Sequence, residues 1–152
     1  MKKTSKAFLI IAELLFLLSI FMPAVETKVF GKAVDWEGWR IALIAIWSLG
    51  DVADRPSWAA VCIAGLGNVV FILAPLLLCR PIGVAARRAF CGGVACALAF
   101  ALVAPVAPGI GAPKLLVGYF VWLMAYVAML ISAMFSVRAL REAARTDQVH
   151  RA

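Results

Sequence analysis

Residues 7–25 read AFLIIAELLFLLSIFMPAV, an apolar run of 19 residues that carries a single charged side chain, Glu13. At a rise of about 1.5 Å per residue, a helix of this length measures about 28 Å, close to the roughly 30 Å hydrocarbon core of a bilayer. The run is long for the apolar part of a signal peptide, and no small-x-small cleavage motif surrounds Pro23. The sequence therefore predicts an uncleaved membrane anchor.

Three further apolar runs have the length of a membrane span. They comprise residues 58–79, 89–106 and 115–137. With 65% hydrophobic residues and a mean hydropathy of +1.00, the composition lies outside the range of soluble domains. We therefore expect an all-α membrane protein in which residues 1–152 form a single four-helix transmembrane bundle.

The basic residues are divided unequally between the two sides of this topology. Ten of the 15 Lys and Arg residues fall on the side that holds both termini, including the tail at residues 138–152. On the opposite side five basic residues are balanced by five acidic ones. Because positively charged segments remain in the cytoplasm, this bias predicts a bacterial inner membrane protein with both termini cytoplasmic. The basic residues occupy three short segments beside the spans, which indicates contact with anionic lipid and not with nucleic acid.

The first outer connection, residues 26–57, is much longer than a turn requires. Its first part predicts a short hairpin with a two-residue turn at residues 31–32. A helix beginning at Trp36 should follow. Its apolar part, residues 41–49, is too short to span, so we expect this helix to lie at the membrane interface.

Aromatic and acidic residues are concentrated in this outer connection. Tryptophans at headgroup depth are typical of the aromatic belt of a membrane protein, and the alternative is a surface that binds a partner. The candidate residues for an outer interaction surface are Trp36, Trp39, Trp47, Asp51 and Asp54.

Glu13 is the one acidic or basic residue inside the predicted spans. A carboxylate at that depth is costly unless it is paired or faces the bundle interior, which makes it a candidate functional residue. The candidate intramembrane polar site consists of Glu13, Asn68, Tyr126 and Ser132. The alternative role of Glu13 is a structural hydrogen bond.

The chain resembles the small multidrug-resistance transporters, which also have four spans and a Glu in the first one. The residue pair Ala12-Glu13 matches the context of that Glu. The long outer connection departs from that family. The resemblance implies a small oligomeric transporter or channel, coupled to protons or cations and centred on Glu13.

Small residues recur at every fourth position along the third span, which allows another helix to approach closely. These helix-packing candidates are Ala89, Gly93, Ala97 and Ala101. The stripe is compatible with packing inside one chain or with a homo-oligomer.

The sequence has no motif of a catalytic, metal-binding or cofactor-binding site. The single histidine, His150, lies in the tail, and the four cysteines lie in or at the ends of spans without a neighbouring histidine. We therefore expect no enzymatic activity, no metal and no cofactor. The favoured interpretation is a non-enzymatic accessory, assembly or interaction protein, whose partners are the lipid bilayer and another membrane protein or a second copy of the chain.

Overall fold

The computed structural model describes residues 3–29, 32–47, 67–80, 83–103 and 114–151. The described chain is mostly helical, as the sequence predicts. Its helices are α1 (Lys3–Phe21), α2 (Gly38–Trp47), α3 (Asn68–Cys79), α4 (Val84–Val103) and α5 (Val117–Arg151). Its strands are β1 (Pro23–Val29), β2 (Lys32–Glu37) and β3 (Lys114–Leu115).

Among the described helices, three are long and apolar enough to cross a membrane, namely α1, α4 and the Val117–Ala143 part of α5. The predicted second span corresponds in its later part to α3, an apolar helix of 12 residues. Residues 58–66, the first part of that span, lie outside the described residues. The four-span count therefore stays a prediction.

Two of the long helices have ends that differ from the predicted ones. Helix α1 stops at Phe21, four residues before the predicted end, because Pro23 has no N–H to continue it and begins β1. Helix α4 begins at Val84, five residues before the predicted start at Ala89. The added turn is rich in Ala and Arg, which favour helix.

The last helix differs at both ends. It begins at Val117, two residues late, because the residues before it belong to β3. It continues to Arg151, so the predicted tail at residues 138–152 is almost entirely helical. Ala, Arg and Glu in the tail favour helix, and Arg138 Nε donates to Glu142 Oε1 at 3.1 Å, one turn away.

The long helices α1 and α4 both run antiparallel to α5. Ser5, near the start of α1, meets Ser132, late in α5, and Met22, just after α1, lies against Gly118 at the start of α5. These contacts make α1 and α5 antiparallel. The start of α4 also meets the late part of α5, through a hydrogen bond from Arg87 to a serine. We call the end of the bundle that holds Ser5 and Arg87 the basic end, and the end that holds the strands the sheet end.

Phe71 of α3 lies at the centre of the core and is 1% exposed. Its ring stacks on Phe16 of α1 at a centroid distance of 4.3 Å and meets Tyr126 of α5 edge-on at 4.8 Å. Both arrangements are favourable for aromatic pairs. Phe71 therefore joins three helices in one packed layer.

At the sheet end, the three strands form an antiparallel sheet in the order β2-β1-β3. The first two strands are a hairpin, but the predicted turn at residues 31–32 is displaced by one residue. Lys32 lies within β2, where it pairs with Val29. Since side chains alternate between the faces of a strand, the hairpin register decides which residues share a face.

The sequence predicts that Trp36 begins the following helix, and this prediction is wrong, because Trp36 belongs to β2. It pairs with Val25, and its indole Nε1–H donates to the Thr27 hydroxyl at 2.8 Å. This side-chain bond holds the observed register. Helix α2 begins two residues later, at Gly38.

The short strand β3 pairs with the other edge of β1, in a contact that the sequence does not predict. Leu115 lies opposite Val25 and Lys114 opposite Glu26. Lys114 Nζ donates to Glu26 Oε2 at 2.9 Å, and this hydrogen bond together with the carboxylate charge raises the pKa of Lys114 above its usual value. The pairing fastens the start of α5 to the strand that follows α1.

Two glycines allow the sheet end to pack closely on the helices. A Cβ atom on Gly38 would lie 2.5 Å from the Ser19 carbonyl oxygen, and one on Gly118 would lie 2.7 Å from the Pro23 carbonyl oxygen. These separations are shorter than any ordinary contact, so only glycine fits without a backbone shift. The start of α2 and the start of α5 thus both abut the end of α1.

Candidate functional site

Three buried side-chain polar atoms of the described residues lack a hydrogen-bond partner, and two of them belong to predicted site residues. Glu13 is partly buried, and its Oε1 atom is inaccessible and accepts no hydrogen bond. The hydroxyl oxygen of Tyr126, whose side chain is fully buried, is likewise unpartnered. Buried polar atoms are normally satisfied, so two exceptions among the predicted site residues single out this region.

The contacts between α1 and α5 place Glu13 and Tyr126 at the same depth. Ser5 meets Ser132 at one end of the helix pair and Met22 meets Gly118 at the other. Counting inward from either contact, the part of α5 level with Glu13 falls at residues 124–127. The sequence-based set therefore includes two side chains that share one level of the bundle.

Asn68 lies beside Trp122, an aromatic residue of α5. Its Oδ1 accepts a hydrogen bond from the Trp122 indole Nε1–H at 2.8 Å, and the Trp122 ring meets Tyr126 edge-on at 5.1 Å. The side-chain carbonyl oxygen of Asn68 is thus already engaged. Asn68 and Tyr126 are joined through Trp122, as part of one layer on the sheet-end side of the core.

Ser132, the fourth predicted member, belongs to a different level. Its hydroxyl donates to the Ser5 carbonyl at 2.8 Å, and the Ser5 hydroxyl donates to the Ser132 carbonyl at 2.9 Å. Ser5 is eight residues before Glu13, about 12 Å along a helix. Ser132 therefore acts in a reciprocal interhelical bond at the basic end and not beside Glu13. Ser5 was missed from the sequence, although it lies on the same helical face as the buried Leu9 and Ala12.

Arg87 is the second residue whose position the sequence did not indicate. It appears among the basic residues that set topology, yet only 5% of it is exposed. Its Nη1 donates to the Ser136 hydroxyl, its Nη2 donates to the Arg80 carbonyl at 3.1 Å, and its Nε is buried without a partner. Nothing in the linear pattern distinguishes Arg87 from the neighbouring Arg88, which is exposed.

The outer interaction surface is described in part. Trp36 is held within the sheet, whereas Trp39 is 42% exposed at the start of α2. The Trp39 indole Nε1–H donates to Glu37 Oε2 at 2.7 Å, and the Arg40 guanidinium lies 5.2 Å from the centre of the Trp39 ring. Arg40 Nε is also 3.3 Å from Glu37 Oε2. We call these three side chains, Glu37, Trp39 and Arg40, the Trp39 cluster.

The other predicted members of the outer surface lie outside this description. Asp51 and Asp54 are outside the described residues, and for Trp47 the structure gives the helical backbone without a described side chain.

The predicted helix-packing stripe is divided between two environments. Ala97 and Ala101 are buried, and the Ala101 carbonyl accepts a hydrogen bond from the Tyr119 hydroxyl. Ala89 and Gly93 are exposed, and outside the backbone of its own helix no described residue lies within 4 Å of a Cβ placed on Gly93. In the described part of the chain, the stripe is buried in its half nearer the sheet end.

Among the described residues, no group of three or more His, Cys, Asp and Glu side chains has the arrangement of a metal site. No protein-family model, no curated protein and no solved structure matches the chain. The functional interpretation therefore rests on the geometry of the chain's own residues.

Proposed function

We propose that the chain is a four-span protein of a bacterial inner membrane, with both termini in the cytoplasm, that works as a non-enzymatic accessory, assembly or interaction protein. The surplus of basic residues on one side supports this orientation. The antiparallel packing of α1 and α5 supports it as well, because it brings the start of α1 and the end of α5 to the same end of the bundle.

The observation that carries the interaction role is the exposed Trp39 cluster on a cap that is fixed to the bundle. The cap is fixed because β1 pairs with both β2 and β3 and because Gly38 abuts the end of α1. Exposed tryptophan and arginine side chains are enriched where proteins bind one another. A rigid cap also keeps the entropy lost on binding small.

A photo-crosslinking amino acid at position 39 tests this role directly in the native membrane. We expect a defined adduct with a second polypeptide. The matched position is Leu18, which is exposed on the spanning part of α1 and should give lipid adducts. Lipid adducts alone at position 39 would identify Trp39 as part of an aromatic belt and would remove the basis for the interaction role.

A second candidate function, transport of protons or cations, is favoured by one specific observation. Glu13 Oε1 is buried and unpartnered within a span, at the depth of the equally unpartnered Tyr126 hydroxyl. A carboxyl group in this position is able to take up and release a proton or to bind a cation. Ionisable residues within spans frequently mark ion pathways.

Flux measurements on purified protein in vesicles separate the two candidates. Under proton, sodium and potassium gradients, transport predicts a flux above that of empty vesicles, its loss in Glu13→Gln and partial retention in Glu13→Asp. Glu26→Gln makes the same chemical change outside the spans and should leave the flux intact. Wild-type vesicles that are no more permeable than empty ones would exclude the transport candidate.

A further inference from the structure

Arg87 is a buried cation that has no anionic partner among the described residues. Of its polar contacts, one is with a serine hydroxyl and one with the Arg80 carbonyl, both neutral groups. Among the described residues, no carboxylate forms an ion pair with it. Burial of a charge is costly unless the charge is paired.

The surroundings of Arg87 increase this cost. Arg87 lies in the first turn of α4, which contains no acidic residue, and the N-terminal end of a helix carries partial positive charge. Arg88 follows in the chain, and Arg80 lies close enough for its carbonyl to accept the hydrogen bond. Both flanking arginines are exposed. Positive charge is therefore concentrated at the junction of α3 and α4.

The guanidinium of Arg87 retains one unfilled donor, the buried Nε–H, on an edge whose geometry suits an oxyanion. Its Nε and Nη2 atoms form one edge of the planar group, which is the edge that binds two oxygens of a phosphate or carboxylate side by side. Nη2 donates to the Arg80 carbonyl with one of its two hydrogens, and the Nε–H is unfilled. This edge therefore faces the α3–α4 junction.

The position of Arg87 along the bundle matches the edge of the hydrocarbon core of a bilayer. Ser136, which binds Arg87, is 19 residues after Val117, about 28 Å along α5. This length is close to the roughly 30 Å of hydrocarbon in a typical bilayer. A hydrocarbon layer that begins at Val117 would thus end near the guanidinium, where lipid headgroup phosphates begin.

We propose that the α3–α4 junction at the basic end binds a phosphate-bearing anion, supplied by the headgroup of an anionic phospholipid. The phosphate accepts hydrogen bonds from the Nε–Nη2 edge of Arg87, and the exposed Arg80 and Arg88 side chains surround it. Basic groups between membrane helices recognise anionic headgroups through this combination of fork geometry and charge. The inference is independent of the Trp39 cluster and of Glu13.

Native mass spectrometry of the delipidated full chain tests the site, with dioleoylphosphatidylglycerol as the probe and dioleoylphosphatidylcholine as the zwitterionic comparison. We expect wild-type protein to retain phosphatidylglycerol in preference to phosphatidylcholine. Arg87→Gln should weaken retention of phosphatidylglycerol by about tenfold or more, the magnitude of a lost charge-assisted hydrogen bond. Arg145→Gln removes the same charge at an exposed position of the same end and should leave the preference intact.

The remaining outcomes are equally decisive. Equal weakening by Arg87→Gln and Arg145→Gln, or equal retention of both lipids by the wild type, would overturn the proposal. Stabilisation by sodium phosphate, compared with sodium chloride at the same ionic strength and without any gain from phosphatidylglycerol, would overturn the assignment to lipid. If Arg87→Gln does not fold, two measurements on folded protein replace it. They are the retention of phosphatidylglycerol by Arg88→Gln and the thermal stability of the wild type in each lipid.

Discussion

Replacement of Gly118 by alanine should loosen the junction between the sheet and the last helix. The added Cβ would lie 2.7 Å from the Pro23 carbonyl oxygen and 2.9 Å from both the Met22 carbonyl oxygen and the Met22 Cβ. Two of these atoms belong to the backbone and cannot rotate away. Relief of the overlap therefore requires the start of α5 to move away from the end of α1.

The expected magnitude follows from two opposing effects. Alanine is a better helix former than glycine by at most about 1 kcal/mol, while overpacking at a close contact costs about 1–3 kcal/mol. We expect Gly118→Ala to lower the free energy of unfolding by about 1–2 kcal/mol. Gly93→Ala is the matched control, because a Cβ on Gly93 meets nothing within 4 Å. It should leave stability unchanged or raise it by up to about 1 kcal/mol.

Unfolding in mild detergent with increasing dodecyl sulfate, followed by far-ultraviolet circular dichroism, measures this difference. Hydrogen exchange gives a local reading, because the Leu116 amide donates to the Ala24 carbonyl at 2.9 Å, beside the expected displacement. This amide should exchange faster in Gly118→Ala alone. If Gly118→Ala were as stable as Gly93→Ala and the Leu116 amide equally protected in both, the close approach of α5 to the end of α1 would be refuted.

Other contacts predict smaller or more local effects. Ser5→Ala and Ser132→Ala should each lower stability by about 0.6 kcal/mol, a typical interhelical hydrogen bond in a membrane protein, because each removes one hydroxyl that donates to the other residue's carbonyl. Unchanged stability in both variants would contradict the reciprocal bond. Phe71→Ala should lower stability by about 3 kcal/mol or more in the same detergent assay, because it removes the ring that joins three helices. A loss below about 1 kcal/mol would contradict the central position of Phe71. Glu26→Gln should lower the pKa of Lys114 toward its ordinary value of about 10.4, observed by NMR titration of the lysine side chain. Because the pKa of Lys114 is raised in the folded state, the stabilisation from the Lys114–Glu26 pair is complete below the ordinary pKa of lysine and is lost as the pH rises through the raised pKa. An unchanged Lys114 pKa in Glu26→Gln would contradict the pairing.

The pattern of apolar residues was sufficient for the class of the protein and for most of its helices. The spans that correspond to α1, α4 and α5 were predicted because hydrophobic length is a property of a continuous segment. Helix ends were less predictable. The residues beyond the predicted end of the last span are helical because their own helix propensity is high, although the apolar run has already ended.

The candidate site was likewise only partly predictable from the sequence. Glu13 was identified because an ionisable group within a span is costly, and Tyr126 because its place in the sequence predicts a similar depth. The contacts between α1 and α5 give both residues the same depth. Ser132 was assigned to the same site, but its partner is Ser5, one of many small polar residues near the chain terminus. Arg87 was counted with the exposed arginines, because its burial depends on α3 and α5 meeting around it.

Hydrophobicity and charge along the sequence by themselves determined that the chain has helices long and apolar enough to cross a membrane and that its basic residues are concentrated beside them. Tertiary structure alone decided the hairpin register, the addition of β3 to β1, the pairing of Ser5 with Ser132 and the burial of Arg87. The physical reason is the range of the interactions. Helix formation and membrane partition depend on neighbouring residues, whereas the β3–β1 pairing, the Ser5–Ser132 bonds and the burial of Arg87 bring together elements far apart in the chain. The hairpin register is local, but it is decided by pairing between two strands and not by either strand alone.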